Sequence, residues 1–100
     1  MPRVSRPRPV DLCPTPWPEV SSEDSLGEFG RQFVLRLRSA IGSRSLRSVA
    51  LEAEVNPQTL ANVLAGLAWP DLATVARLQM SLRVTLVPGS ATWRGAASSK

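Results

Sequence analysis

The chain of 100 residues contains no histidine and only one cysteine. Histidine is the commonest general base and metal ligand, so most acid–base and metal chemistry lacks its usual side chain here. The single cysteine, Cys13, lies in a proline-rich stretch and has no disulfide partner in the chain. Without a histidine, a metal-binding cluster or a nucleophile with a base, no reaction class can be assigned. We therefore expect no catalytic residue, no metal site, no cofactor and no enzymatic activity.

Long apolar runs and tyrosine are also missing. No apolar stretch reaches the roughly 18 residues that a membrane-spanning helix needs, and the N-terminus lacks the apolar core of a signal peptide. Aromatic residues make up only 5% of the chain, which argues against a large β-sandwich. Together with the unpaired Cys13, these absences predict a cytoplasmic protein without a membrane partner.

Basic residues outnumber acidic ones by twelve to eight, and all but one of the basic residues are arginine. Guanidinium groups match pairs of phosphate oxygens, which suits arginine to a polyanionic partner. A GC-rich genome would produce the same preference for arginine over lysine. The net charge of +4 therefore permits nucleic-acid binding but does not establish it.

The composition divides the chain into three parts. Residues 1–24 contain six prolines and few apolar residues, which predicts a disordered N-terminal tail. The arginines at its start could instead form a basic arm that reaches into a DNA groove. Residues 25–88 are predicted to form the folded domain, and residues 89–100, which are small and polar, a flexible C-terminal tail.

Four helices are predicted in this domain from their apolar spacing, and each has an N-terminal signal. Ser25 and Ser45 are candidate N-caps of the first and second helices. Asn56-Pro57 joins a preferred N-cap to a proline suited to the first helical position, and Pro70-Asp71 gives a similar signal for the fourth helix. Gly42 is expected to end the first helix. The predicted fold is mostly all-α, a bundle of four to five helices.

Residues 82–87 alternate in polarity and contain β-branched side chains, which predicts a short C-terminal strand. The chain offers no second strand candidate, and an unpaired strand leaves its backbone groups without partners. We therefore expect this strand to pair with its equivalent in a homodimer, through the dimerisation residues Val84, Thr85 and Leu86.

The segment 45–65 carries the functional prediction. It reads as two short helices separated by a tight turn over residues 53–56. Small Ala50 lies where the two helices would cross, and Val55 would point from the turn into the core. This is the spacing of a helix-turn-helix.

Over roughly residues 28–82 the chain resembles the Cro/C1-type (XRE-like) helix-turn-helix family of bacterial and phage regulators. The resemblance implies a lambda-repressor-like bundle that binds double-stranded DNA in the cytoplasm or nucleoid and regulates transcription, as a repressor or autoregulator. It also implies that helix 56–66 is the recognition helix in the major groove. The family usually has glycine where this chain has Glu54, so we expect Glu54 to adopt a strained left-handed conformation.

Within this motif the predicted DNA contacts fall into two groups. Gln58 and Asn62 lie four residues apart on one helical face, and their amides can pair with adenine N6 and N7. The start of the second helix would bind phosphate through side chains and free N–H groups. On any other solvated helix the same side chains would be ordinary surface residues. The full predicted set is Arg44, Ser45, Arg47, Asn56, Gln58, Thr59 and Asn62.

Two other functions remain open. The helices followed at once by the strand resemble, more weakly, the HipB/HigA-like antitoxin regulators, which implies a protein toxin as partner and a proline-rich tail that folds on it. A helical interaction domain without DNA binding is the other alternative. Such a domain would be expected to have a neutral or acidic face, and residues 56–66 contain no acidic side chain.

Overall fold

The structure is a computed structural model that describes residues 6–89. It is mostly helical, as predicted, and the described residues contain no β-strand. A short 3-10 turn, Pro9–Leu12, precedes the α-helices. The four α-helices are α1 (Ser25–Ile41), α2 (Leu46–Ala53), α3 (Pro57–Leu64) and α4 (Leu72–Leu82).

Each helix begins at a side chain that caps its free N–H groups. Ser45 accepts a hydrogen bond from the backbone of Ser48 at 3.0 Å, which confirms it as the N-cap of α2. The predicted start of α1 is wrong by one residue, and that of α4, which placed Pro70 in the first helical position, is wrong by two. Asp24 rather than Ser25 caps α1, and Asp71 caps α4, so that Pro70 lies before the helix. In both cases a carboxylate, the stronger acceptor, takes the capping position.

One apolar core joins the four helices. The helix α2 packs against α3 and α4, while α1 packs against α3. Small Ala50 is fully buried, so the helices approach closely at this point. The side chains that are least exposed come from every helix and from the segment after α4: Val34, Leu37, Val49, Leu60, Val63, Leu78 and Leu86.

The C-terminal strand predicted over residues 82–87 is wrong. Leu82 is the last residue of α4, and Arg83 ends the helix in a left-handed conformation, with φ 61°. The backbone N–H groups of Leu86 and Val87 donate to Gln79 Oε1 at 2.7 and 3.2 Å. A side chain of the same molecule therefore supplies the acceptor that a partner strand was expected to supply.

The N-terminal part of the chain is not a free tail from Arg6 onward. Residues 6–24, called the N-terminal segment below, pack on the helices, and Pro9 and Pro18 are buried. The Trp17 indole donates to Leu64 O at 3.0 Å, and the Trp69 indole donates to Pro7 O at 2.7 Å. Residues 1–5 and 90–100, which complete the two predicted tails, lie outside the described part of the chain.

A buried ion pair fastens the N-terminal segment to α1. The Glu28 carboxylate accepts hydrogen bonds from Arg31 at 2.7 and 2.8 Å and from the backbone N–H of Ser22 at 2.9 Å. Arg31 also donates to Pro18 O at 3.1 Å. The hydrogen bonds from Arg31 lower the pKa of Glu28 from 4.5 to about 2, in spite of the burial of both side chains. This buried ion pair thus links the backbone of the N-terminal segment to α1.

No helix in residues 6–89 combines the length and the apolar character that crossing a membrane requires.

Candidate functional site

The connection between α2 and α3 consists of residues 54–56. Glu54 has φ 62° and ψ 43°, which confirms the predicted left-handed conformation. Its carbonyl accepts a hydrogen bond from the Arg77 guanidinium of α4 at 3.1 Å. Val55 follows, buried as predicted, and its N–H donates to Ala50 O at 2.9 Å. These contacts fix the direction in which α3 leaves α2.

The N-terminal half of α3 is built around Asn56. Its side-chain oxygen accepts from the backbone N–H groups of Gln58 at 2.8 Å and Thr59 at 3.2 Å, which confirms it as the N-cap. The Gln58 amide donates to Asn62 Oδ1 at 3.0 Å, one helical turn further along. Gln58 and Thr59 are exposed and Asn62 is partly exposed, so the structure presents these polar groups together on the surface of α3.

The start of α2 carries the second predicted group. Arg44, Ser45 and Arg47 are all exposed. Arg44 is not a free cation, because its guanidinium forms an ion pair and hydrogen bond with Glu52. Arg47 forms no ion pair with any residue that the structure describes. Spacing did not indicate the pair between Arg44 and Glu52, since the two lie eight residues apart along the chain.

The predicted dimerisation residues do not share one surface. Val84 is 41% exposed and Thr85 is also exposed, but Leu86 is fully buried in the core of its own molecule. Leu86 therefore cannot reach a second copy while this core is intact. The alternating pattern at residues 82–87 failed to show this because burial depends on where α4 ends, at Leu82.

Arg77 belongs to this site although no sequence pattern indicated it. It lies on α4, far along the chain from the connection that it contacts. An arginine on a helix surface is common, so the sequence pattern does not show which residue its guanidinium contacts. Only the three-dimensional packing of α4 beside α2 shows that its guanidinium completes the turn at Glu54.

Other chemical groups in the described residues are few. No cluster of three or more histidine, cysteine, aspartate or glutamate residues there could hold a metal ion. The Cys13 thiol donates to Gly27 O at 3.4 Å, and burial raises its pKa, so the reactive thiolate is disfavoured. A cavity of about 100 Å³ beside Phe33 and Trp69 has almost entirely apolar walls. Pockets that orient a polar substrate usually add a few polar groups to such walls.

Comparison of the chain with models of known protein families and with curated proteins gives no match in either case. The inference of function consequently depends on the geometry of α2, α3 and their connection.

Proposed function

We propose that the protein binds double-stranded DNA in a sequence-specific manner and regulates transcription, with α3 as the recognition helix in the major groove. The observation that carries this proposal is the pair of hydrogen-bonded amides on the exposed face of α3, Gln58 and Asn62. It is supported by the absence of any acidic side chain in residues 56–66, since a carboxylate there would repel phosphate.

The amide pair has the chemistry needed to read an adenine. Adenine presents an acceptor, N7, and a donor, the N6 amino group, in the major groove. Because Gln58 Nε2 donates to Asn62 Oδ1, the Gln58 oxygen and the Asn62 amino group remain as an acceptor and a donor on neighbouring side chains. The internal hydrogen bond also restricts both side chains before binding, which lowers the entropy lost on contact. An amide–base pair of this kind is worth about 1–3 kcal/mol of discrimination.

The geometry of α2 and α3 supports a helix-turn-helix. Both helices have eight residues, and a connection of three residues with a left-handed Glu54 joins them. In such motifs the first helix lies across the DNA backbone while the second enters the groove. The N-terminus of α2 then places its N–H groups and Arg47 close to phosphate.

Arg44 can join this phosphate contact at small cost. Its ion pair with Glu52 is exposed, and exposed ion pairs contribute less than about 1 kcal/mol. A phosphate group, like a carboxylate, can accept two parallel hydrogen bonds from one guanidinium. We therefore propose that Arg44 exchanges Glu52 for phosphate when DNA binds.

Thr59, on the exposed face of α3, contacts a thymine methyl group or a phosphate of the DNA. Asn56 acts chiefly as the N-cap of α3.

A homodimer is part of the proposal, although its interface differs from the one expected from the sequence. Val84 and Met80 leave apolar side chains exposed, at 41% and 71%. A second copy covering them would present two recognition helices related by a two-fold axis. The DNA site should then be palindromic, with half-sites about 34 Å apart.

A toxin partner is not favoured by a specific observation. That alternative depended on a proline-rich tail that folds on a second protein. The N-terminal segment already has its partners in α1, α3 and Trp69 of the same molecule. DNA binding is therefore the function that the geometry supports best.

The proposal is tested by titrating the purified protein onto fluorescently labelled duplex DNA from upstream of its own gene, with a scrambled duplex as control. Both titrations are run at two salt concentrations. We expect tighter binding to the upstream duplex, with an affinity that falls as salt rises because phosphate contacts release counterions. Equal and weak binding to both duplexes would contradict sequence-specific recognition.

A further inference from the structure

The carboxyl end of α3 is held by hydrogen bonds from the N-terminal segment. The Trp17 indole N–H donates to Leu64 O at 3.0 Å. The backbone N–H of Val10 donates to Gly66 O at 3.0 Å. The carbonyl of Leu64, the last residue of α3, has no donor inside the helix, and the Trp17 indole supplies one. Gly66 lies two residues beyond Leu64, so the Val10 bond holds the chain just after the helix.

The contact between Trp17 and this end of α3 is also sterically close. Gly66 has φ 75°, a conformation that favours glycine. A Cβ atom at this position would lie 2.7 Å from Cε2 of Trp17 and 3.0 Å from Cβ of Val10. The indole therefore packs directly on the Gly66 backbone, and a side chain at Gly66 would push it away.

The part of the N-terminal segment that follows Trp17 is anchored on α1. The Arg31 guanidinium donates to Pro18 O, and its partner Glu28 accepts from the backbone of Ser22. The Ser22 hydroxyl donates to Leu12 O at 2.6 Å. The N-terminal segment thus connects the longest helix of the bundle to the end of an eight-residue helix.

We propose that the N-terminal segment is a clamp on α3 and that Trp17 is a positioning residue for DNA recognition, an inference that rests on the proposed DNA-binding function. Base-reading side chains must be held to within about 0.5 Å of their productive geometry. A helix of two turns is not stable in isolation, so its position depends on tertiary contacts. Trp17 fixes the carboxyl end of α3 and, through it, the position of Asn62 two residues before Leu64.

The test compares Trp17→Phe with the matched variant Trp69→Phe. Each substitution keeps an aromatic ring and removes one indole hydrogen bond between the N-terminal segment and the rest of the protein. Only the Trp17 bond ends on α3. Hydrogen exchange is measured by NMR at the amides of residues 65–67, which donate to the last turn of α3, with the amide of Leu37 in α1 as a reference for global opening.

We expect Trp17→Phe to accelerate exchange at residues 65–67 by about fivefold, the effect of losing one ordinary hydrogen bond, with exchange at Leu37 much less affected. Trp69→Phe should leave residues 65–67 closer to the wild type. Affinity for the upstream duplex should fall at least about threefold in Trp17→Phe and less in Trp69→Phe. A uniform acceleration at all amides would indicate a merely structural role and overturn the proposal.

Two further outcomes separate the clamp from the proposed function. If wild type prefers the upstream duplex and Trp17→Phe binds it equally well, Trp17 is not a positioning residue. If wild type shows no preference for that duplex, the DNA function fails and the positioning role fails with it, while hydrogen exchange still decides whether the clamp exists. Should Trp17→Phe not fold, a benzothienyl analogue at position 17, which keeps the bicyclic shape but lacks the N–H, gives the same comparison.

Discussion

Glu54, in the α2–α3 connection, adopts a left-handed backbone conformation, with φ 62° and ψ 43°. A left-handed conformation costs a residue with a Cβ about 1–2 kcal/mol, a cost that glycine avoids. We predict that Glu54→Gly stabilises the protein by about 1 kcal/mol and raises the melting temperature by roughly 4–8 °C. Arg77 bonds the backbone carbonyl at this position, so that contact is kept.

The matched control is Leu51→Gly, at an exposed position inside α2. Glycine in a helix interior lowers stability by about 1 kcal/mol. Thermal unfolding followed by circular dichroism should therefore shift in opposite directions for the two variants. A lower melting temperature in both would mean that the Glu54 side chain contributes more than its conformation costs.

The buried pair of Glu28 and Arg31 gives the protein a pH dependence with a defined sign. The pKa of Glu28 is lowered from 4.5 to about 2 in the folded state, chiefly by hydrogen bonds from Arg31. Its stabilising contribution is therefore complete above about pH 5 and is lost as the pH falls from there towards about 2. We predict that urea unfolding midpoints decrease over this interval.

In Glu28→Gln the same decrease should be smaller, because the titrating group is gone. This variant should also be less stable at neutral pH by about 3 kcal/mol, since it leaves Arg31 buried without its partner. Asp11→Asn breaks an exposed pair at the same spacing, with Arg8, and should have a smaller effect. An unchanged pH dependence in Glu28→Gln would contradict the assignment.

At the scale of the helices, α3 separates residues that support the fold from residues proposed to read DNA. Asn56 caps the helix with two hydrogen bonds, whereas the Gln58 side chain bonds Asn62 on the surface. We predict that Asn56→Ala lowers the free energy of unfolding by about 1 kcal/mol, and that Gln58→Ala changes it by less than about 0.5 kcal/mol. Chemical denaturation of the two variants measures the difference. Equal losses would contradict this division of roles.

Sequence reasoning was sufficient where local chemistry decides the structure. Ser45 and Asn56 act as caps because they meet N–H groups two or three residues ahead, and such contacts are visible in the sequence. The i,i+4 spacing likewise indicated that Gln58 and Asn62 share a face. The positions of the caps and of the two amides were therefore predictable, whereas the Arg44–Glu52 pair and the contact from Arg77 were not.

The C-terminal strand shows where local pattern failed. Residues 82–87 alternate in polarity, but α4 extends to Leu82 and Arg83 turns the chain. The acceptor that replaces a partner strand is the side chain of Gln79, which no alternation rule includes. A polar side chain on the preceding helix can thus satisfy backbone groups that sequence reasoning assigns to a sheet.

At the scale of the whole molecule, the N-terminal segment joins the fold through distant contacts. Prolines and sparse apolar residues led to the prediction of a disordered tail, yet Pro9 and Pro18 themselves are buried. The indole hydrogen bonds of Trp17 and Trp69 span 47 and 62 residues along the chain. Periodicity describes a helix or strand but not a segment held at separate points, so these contacts could not be predicted.

We predict that deleting residues 1–24 lowers the melting temperature by more than about 10 °C or abolishes cooperative unfolding. The deletion exposes the apolar surface under Pro9 and Trp17 and leaves Arg31 without Pro18 O. Each kcal/mol lost corresponds to about 4–8 °C in a domain of this size. Scanning calorimetry of the truncated and full-length proteins measures the change. A truncated protein that unfolds cooperatively at the wild-type temperature would show that the segment is a dispensable tail.

Recognition of DNA by α3 is the central claim, and Asn62→Ala tests it most directly. Its affinity for the upstream and scrambled duplexes is measured by fluorescence anisotropy beside Ser39→Ala, a control at an exposed polar position on α1, which carries none of the proposed base contacts. If Asn62 reads a base, its loss weakens binding to the upstream duplex by about 1–3 kcal/mol, or roughly 5- to 150-fold, and leaves binding to the scrambled duplex unchanged. Ser39→Ala should bind both duplexes like wild type. Equal affinities of Asn62→Ala and wild type for the upstream duplex would contradict the role of α3 as a recognition helix.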